Sequence, residues 1–396
     1  TLAKGLGLLA GAIILGRHLL PHVFDRAARS KELLFLLSMA WLFTVVAIVQ
    51  RMGFSIEIAG FVAGFALALV LGACAPAQAP QEEGALPVWP PEPEAARVAF
   101  VKTFSRPEHL GIGKGFLQRL ADVLFGASEA RLVRPMAIAA VGEVLFVADP
   151  GAKGVHRFDQ AAGRYELLHA EGDKPLASPV GLARGGNGDV YVTDSALARV
   201  FVIRPGAKFA SPVALRAELK QPTGIAADPA SGRLFVVDTA AHRVLAFNPD
   251  GALDSSFGRR GAGDGEFNYP TLVWRDPKSR RLYVTDSLNF RVQIFDEHGR
   301  FLGKFGRAGD GTGDSARQKG VATDRFGHVY VVDSLFHAFQ IFDQSGRFLL
   351  SVGEPGSGRG EFWLPTGIFI SENDTIYVAD SYNRRVQVFR YIGGPA

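Results

Sequence analysis

Six aspartates recur at a near-constant interval along the chain: Asp149, Asp194, Asp238, Asp286, Asp333 and Asp380, separated by 45, 44, 48, 47 and 47 residues. Five of them are followed by Ser or Thr, as in Asp286-Ser287. A hydroxyl beside a carboxylate is the raw material of an activated nucleophile. Repetition argues for another role, because an Asp that accepts backbone N–H groups in a tight turn serves every copy alike. The six are therefore expected to be structural turn residues.

Arg199, Arg243, Arg291 and Arg385 share one later repeat position, which Gly154 and Ala338 break. An Arg ring on one face would take anions, and pairing with the turn carboxylates is the alternative. Lys319 is read as standing where the other five copies carry Pro; with Trp274, Arg317 and the Trp363 loop it would mark a binding mouth. The expected binding face is thus Arg199, Arg243, Arg291, Arg385, Lys319 and Trp274. Gly258-Arg259-Arg260-Gly261-Ala262-Gly263 has the look of a phosphate cradle, but it opens no helix and reads as a connection between repeats.

Metal chemistry needs several converging ligands. The segments that begin each repeat, such as Thr223-Gly224-Ile225 and Thr366-Gly367-Ile368, offer no carboxylate and no His. His156, His242, His298, His328 and His337 fall at differing repeat positions. No metal, no cofactor and no catalytic residue is expected.

The elements that position these residues follow from the period. Each copy contains a phrase such as Leu282-Tyr283-Val284-Thr285-Asp286, and a repeat of this length filled with short β-like runs indicates a four-stranded propeller blade. In the fourth copy, strands are expected at 271–275, 281–285, 291–296 and 300–305, with Asp276-Pro277-Lys278-Ser279 as a turn. A lone blade cannot bury both of its faces, so six must close into a ring. The last copy ends after its third strand, Arg385–Arg390. Val98–Phe104 resembles a fourth-strand phrase and is expected to complete that blade, leaving no open edge. The fold class is all-β, a six-bladed β-propeller over residues 131–396, with a closing strand and an amphipathic helix (apolar positions 116, 117, 120, 123 and 124) in 98–130. That helix would pack on the propeller end or dock a partner.

The 396 residues are 47% hydrophobic, with one Cys and a formal charge of +4, which gives no case for a disulfide framework or for nucleic acid as partner. Residues 1–73 are nearly all apolar. Leu33–Gln50 and Gly53–Ala73 are long enough to span a membrane, and Thr1–Leu20 reaches that length as a whole. Glu57 is the one carboxylate in the second and third runs, near a helix end. Basic residues from Arg17 to Lys31 favour the cytoplasmic side for the first turn. Leu71-Gly72-Ala73-Cys74 instead fits a bacterial lipobox, with Cys74 as lipidation site and 53–73 as signal peptide. Those topologies conflict, the first leaving Ala73 inside and the second placing Cys74 outside. Residues 74–97, rich in Pro, Ala and Glu, read as an extended tether.

Two resemblances add to these readings. Pro365-Thr366-Gly367-Ile368, Ile376–Asp380, Asn383-Arg384-Arg385-Val386 and the loops Gly258–Gly261 and Gly353–Phe362 resemble the NHL-repeat family, with the likeness extending over 98–391. It implies a six-bladed propeller; some relatives bind RNA and some are lactonases or amidating lyases, so it leaves function open. Gly16-Arg17-His18-Leu19-Leu20-Pro21, Arg29-Ser30-Lys31-Glu32-Leu33 and Gly53–Gly64 look like an internal piece of a bacterial cation:proton antiporter of the sodium/hydrogen-exchanger superfamily, over 1–68 only. Three helices cannot form such a transporter's path, so no catalytic residue carries over. The expected function is a membrane-tethered propeller scaffold binding a protein or ligand in the bacterial envelope, facing periplasm or exterior. The alternatives are an antiporter fragment with a cytoplasmic propeller, and a propeller lactonase or lyase.

Overall fold

The computed structural model describes residues 43, 44, 47, 50, 51, 86–113 and 130–394. The chain divides into two compact units, Thr1–Gly84 and Ala85–Ala396. In the first, the described residues have helical backbone. Apart from residues 43, 44, 47, 50 and 51, the expected membrane helices and the antiporter-like stretch lie outside the described residues, as do Cys74 and the 116–125 stripe. Among the described residues no helix is long and apolar enough to cross a membrane.

The second unit follows the repeat. Lettering strands a to d from the centre outward, blade 1 is Ala137–Val141, Val144–Asp149, Gly154–Asp159 and Arg164–Leu168. Blade 2 is Pro179–Arg184, Val190–Asp194, Arg199–Ile203 and Ser211–Pro212, and blade 3 is Pro222–Ala227, Leu234–Asp238, Arg243–Phe247 and Leu253–Phe257. Blade 4 is Pro270–Arg275, Leu282–Asp286, Arg291–Phe295 and Phe301–Phe305, within a residue of the expected strands. Blade 5 is Gln318–Thr323, Val329–Asp333, Ala338–Phe342 and Phe348–Val352. Blade 6 takes Ile368–Ile370, Thr375–Asp380 and Arg385–Tyr391 from the C-terminal end. Its strand d is Val98–Phe104, antiparallel to Arg385–Tyr391 with Phe104 opposite Val386. The a strands meet in the order 1 to 6 and the sixth meets the first, so the ring is closed around a channel.

Burial explains why the middle strands are apolar on both sides. Leu282–Asp286 and Val329–Asp333 are buried at every position. Each seam between blades holds its own hydrophobic cluster, for example Ala226, Phe235 and Val237 of blade 3 against Val273, Val284 and Phe295 of blade 4. Burying one such Phe contributes roughly 1.5–3 kcal/mol, a gain available only once the next blade is present. Near the channel the backbones themselves touch: a Cβ added at Gly224 would lie 2.5 Å from Leu272 Cα.

Two sequence expectations are corrected here. Residues 86–97 are not an extended tether, because Val88–Trp89 pairs with Val98 and Ala99 as a fifth strand of blade 6. Trp89, an apolar side chain amid the prolines, packs edge-on against Phe389 at 5.6 Å. The residue that replaces the repeat's Pro is Gln318, not Lys319. Gln318 faces Asp333 in the ladder as Pro222 faces Asp238 and Pro270 faces Asp286.

Candidate functional site

The propeller has two faces. The bc face carries the b–c turns and the connections from one blade's strand d to the next blade's strand a. The ab face carries the a–b and c–d turns.

On the bc face the six aspartates are buried, and each accepts an N–H from the connection entering its own blade: Val133 to Asp149, Ser178 to Asp194, Gln221 to Asp238, Asn268 to Asp286, Ala316 to Asp333 and Trp363 to Asp380, at 2.6 to 3.0 Å. Burial pushes Asp149 upward, but His156 and the Val133 and Arg134 N–H groups outweigh it and leave the carboxyl below its ordinary value. At Asp380 burial wins and the carboxyl lies above it.

The hydroxyls that follow are bolts between blades. Thr239 donates to Pro270 O at 2.6 Å, Ser287 to Gln318 O at 2.6 Å and Ser334 to Pro365 O at 2.7 Å; Ser381 donates to Pro135 O, joining blade 6 to blade 1. Ser195 departs from this, reaching Ser178 Oγ at 3.1 Å.

Most of the arginine ring is committed in the same way. Arg291 Nε donates to Asp286 Oδ2 at 2.8 Å, and its other nitrogens donate to the carbonyls of Ala262, Gly263 and Glu266. Arg385 binds Asp380 at 2.7 Å and the carbonyls of Ser357, Gly358 and Glu361. These two guanidiniums commit their donor forks to the turn carboxylates and to the carbonyls of the Gly-rich connections, tying those loops to their blades. Arg243 reaches Asp238 at 3.5 Å and Glu218 O. Arg199 is exposed and borders a groove with Val213, Leu215 and Leu219. Lys319 is half-buried, and burial, with Arg317 nearby, holds its ammonium below the ordinary value.

Trp274 belongs elsewhere. It sits near the far end of strand a, at the ab mouth, so the six residues expected to form one binding face are divided between the two ends of the channel. The ab mouth opens into a cavity of about 430 Å³. Its walls are Ile138, Leu182, Ile225, Leu272, Phe369 and Ile370, with Trp274 among them. The indole packs on the clusters of three seams and meets the Phe369 ring edge-on at 6.3 Å, so it spans the channel from blade 4 to blade 6. Its N–H donates to Thr323 Oγ1 at 2.8 Å, and that hydroxyl donates to Asp276 Oδ2 at 2.6 Å. Asp276 also accepts the N–H groups of Lys278 and Ser279 and shapes the a–b turn.

Charged groups rim this mouth. Arg184 pairs with Glu372 at 2.8 Å, bridging blades 2 and 6 past blade 1. Arg275 is buried against Asp228 at 3.1 Å, and Arg325 pairs with Asp374 at 2.7 Å. Asp324 turns its buried carboxylate away to His328 Nδ1 at 2.7 Å and Tyr330 OH at 3.0 Å.

Arg184, Glu372 and Lys278 were not singled out from the sequence, although a signal existed. The repeat position of Trp274 is Ala in four copies (Ala139, Ala183, Ala226 and Ala322) and aromatic only at Trp274 and Phe369. Two large rings where alanines are the rule mark a channel filled from two sides. Among the described residues no three His, Cys, Asp or Glu come together to hold a metal ion.

Comparisons with known proteins agree with the architecture. A family model described as the teneurin NHL domain matches residues 168–355, and one described as a 6-bladed β-propeller matches 321–393. Peptidyl-glycine α-amidating monooxygenase of Mus musculus is 30% identical over 108 residues, 25% of this chain; the match covers 11% of that enzyme's length. An auxiliary nutrient binding protein from Bacteroides thetaiotaomicron aligns with a TM-score of 0.53 at 14% identity, over 67% of this chain and 71% of that one. Virginiamycin B lyase from Staphylococcus aureus aligns at 0.49 and 15% identity, over 66% of this chain and 96% of that one. These likenesses concern the fold. The protein is a six-bladed β-propeller, and its middle blades are similar to the NHL model.

Proposed function

We propose that this NHL-type propeller is a non-catalytic binding scaffold of the bacterial envelope, which takes a small, largely apolar ligand in the ab mouth of its channel. The observation that carries the reading is the cavity beside Trp274, whose 430 Å³ falls in the size range of ligand sites. Its wall is apolar, with polar groups confined to the rim. The two hydroxyls of the lining, Thr323 and Ser371, are engaged by Asp276 and Asn373, which favours binding over chemistry. A bulky side chain at Leu182 would fill the cavity while leaving the fold. The full chain and its Leu182→Trp variant, each purified from the native membrane, would be compared by native mass spectrometry. A small molecule held by the first and lost from the second is expected. Its absence from both, or equal retention, overturns the reading.

The same proposal places the propeller at the membrane through acylation of Cys74, facing periplasm or exterior. Mass spectrometry of the mature N-terminus tests this. An acylated Cys74 at the N-terminus is expected. Peptides of Leu33–Arg51 continuous with the propeller, with Cys74 unmodified, overturn it and favour an integral membrane protein.

A second reading, docking of a protein partner, is favoured by the exposed Leu288, Leu335, Trp363 and Tyr382 in consecutive blades of the bc face. Site-specific photocrosslinking from Tyr382 in cells, with an ab-face position as control, tests it. A crosslinked adduct at Tyr382 alone is expected, and none at either position counts against it.

A further inference from the structure

We propose that the ligand of the ab mouth is an amphipathic anion, an alkyl or aryl body in the channel with a carboxylate or phosphate head held by Arg184 and Lys278; this rests on reading the channel as a ligand pocket. The lining carries four cations, Arg184, Arg275, Lys278 and Arg325, against two carboxylates, Asp324 and Glu372.

These charges are not equally available. The Asp324 carboxylate is fully buried and bound to His328 and Tyr330, so it presents no charge to the cavity mouth. Arg275 is sealed beside Asp228, and releasing it would leave a buried carboxylate without its partner. Arg325 pairs with Asp374, whose side chain is also buried. Lys278 donates to the Arg325 carbonyl at 2.7 Å and, among the described residues, forms no ion pair. Among the described residues Arg184 is held only by Glu372, which is 82% exposed. An exposed pair of this kind is worth about 0–1 kcal/mol, so a ligand anion can replace Glu372 while that carboxylate returns to water. Two cations at the rim of an apolar mouth, from blades 2 and 4, one without an ion pair among the described residues and one loosely paired, suit an anionic head on a greasy body. A cationic head would find only Glu372, and a neutral head would leave both cations unused.

Calorimetric titration of the full chain with dodecanoate, dodecyl phosphate, dodecanol and dodecylammonium, each below its micelle threshold, tests this. At least one anion is expected to bind tenfold or more tightly than the alcohol, the carboxylate and phosphate arms telling the head groups apart. Arg184→Met and Lys278→Met should each cost several-fold in anion affinity without changing alcohol affinity. Glu372→Gln should raise anion affinity, since it frees Arg184. Both arginine and lysine variants alter exposed side chains, and unchanged circular dichroism would show that they fold. Equal binding of anion and alcohol, or preference for the ammonium, overturns the anion class and leaves the pocket standing. Failure of all four probes removes the pocket reading as well.

Discussion

The Trp274 indole N–H donates to Thr323 Oγ1 at 2.8 Å, joining the innermost strands of blades 4 and 5 at the channel. The same hydroxyl donates to Asp276, so one threonine fixes both an aromatic wall and the turn beside it. A large ring would otherwise swing in an open mouth; this bond gives the cavity a defined shape before any ligand arrives.

That relationship predicts the behaviour of Thr323→Val. The substitution conserves shape and strands two partners, the indole N–H and the buried Asp276 oxygen, at a cost of about 1–3 kcal/mol. Denaturant unfolding reads the loss, and a red-shifted Trp emission reads the freed ring. Unchanged stability and emission would contradict the role given to Thr323.

The hydroxyl bolts predict a pattern across the ring. Ser287→Ala and Ser334→Ala each leave a buried carbonyl of the next blade unpaired and should cost about 1 kcal/mol. Ser195→Ala should cost less, since its hydroxyl meets another side-chain oxygen and not the neighbouring blade. Chemical denaturation of the three variants gives the comparison, and equal losses would contradict the bolt account.

The arginines should separate sharply. Arg291→Ala takes the paired cation from the buried Asp286 carboxylate, leaving it only the amide donors of Asn268, Asn289 and Gln293, and strips three connection carbonyls of a donor, a loss of about 3–5 kcal/mol. Arg199→Ala, at an exposed position, should stay within about 0.5 kcal/mol. Thermal unfolding distinguishes them, and a large effect at Arg199 would give that residue a structural role.

Lys319 predicts a pH dependence. Burial lowers its folded pKa below the unfolded value, so the folded state carries a penalty for the ammonium that is full below the folded pKa. The penalty fades as pH rises toward the unfolded value, roughly 10.4. Lys319→Met should therefore melt higher than the parent at pH 7, with the difference shrinking by pH 10.5. A difference that holds constant with pH would contradict the burial assignment.

Much of the fold was legible in the residues, for physical reasons. A period near 47 with a buried five-residue phrase in each copy leaves few architectures besides stacked blades. The turn aspartates could be recognised because a role repeated six times cannot be a single active site. The mouth was less legible. Arg184 and Glu372 lie 188 residues apart, and only closure of the ring brings them together. Trp274 was noticed as an aromatic, yet grouped with bc-face arginines; the strand direction that sends it to the opposite end shows only when each copy is counted outward from its aspartate. That same count separates Gln318 from Lys319. Trp89 was hidden by its neighbours, since a proline-rich context reads as solvated chain until a strand edge is there to receive it.

The central claim is that the channel mouth beside Trp274 receives the apolar body of a ligand. The most direct test is diffraction from crystals of the full chain soaked with a bromine-tagged alkyl carboxylate. An anomalous peak inside the channel, among Leu182, Ile225 and Trp274, is the predicted result. Bromine found only on the outer strands, with the channel holding water, would contradict it.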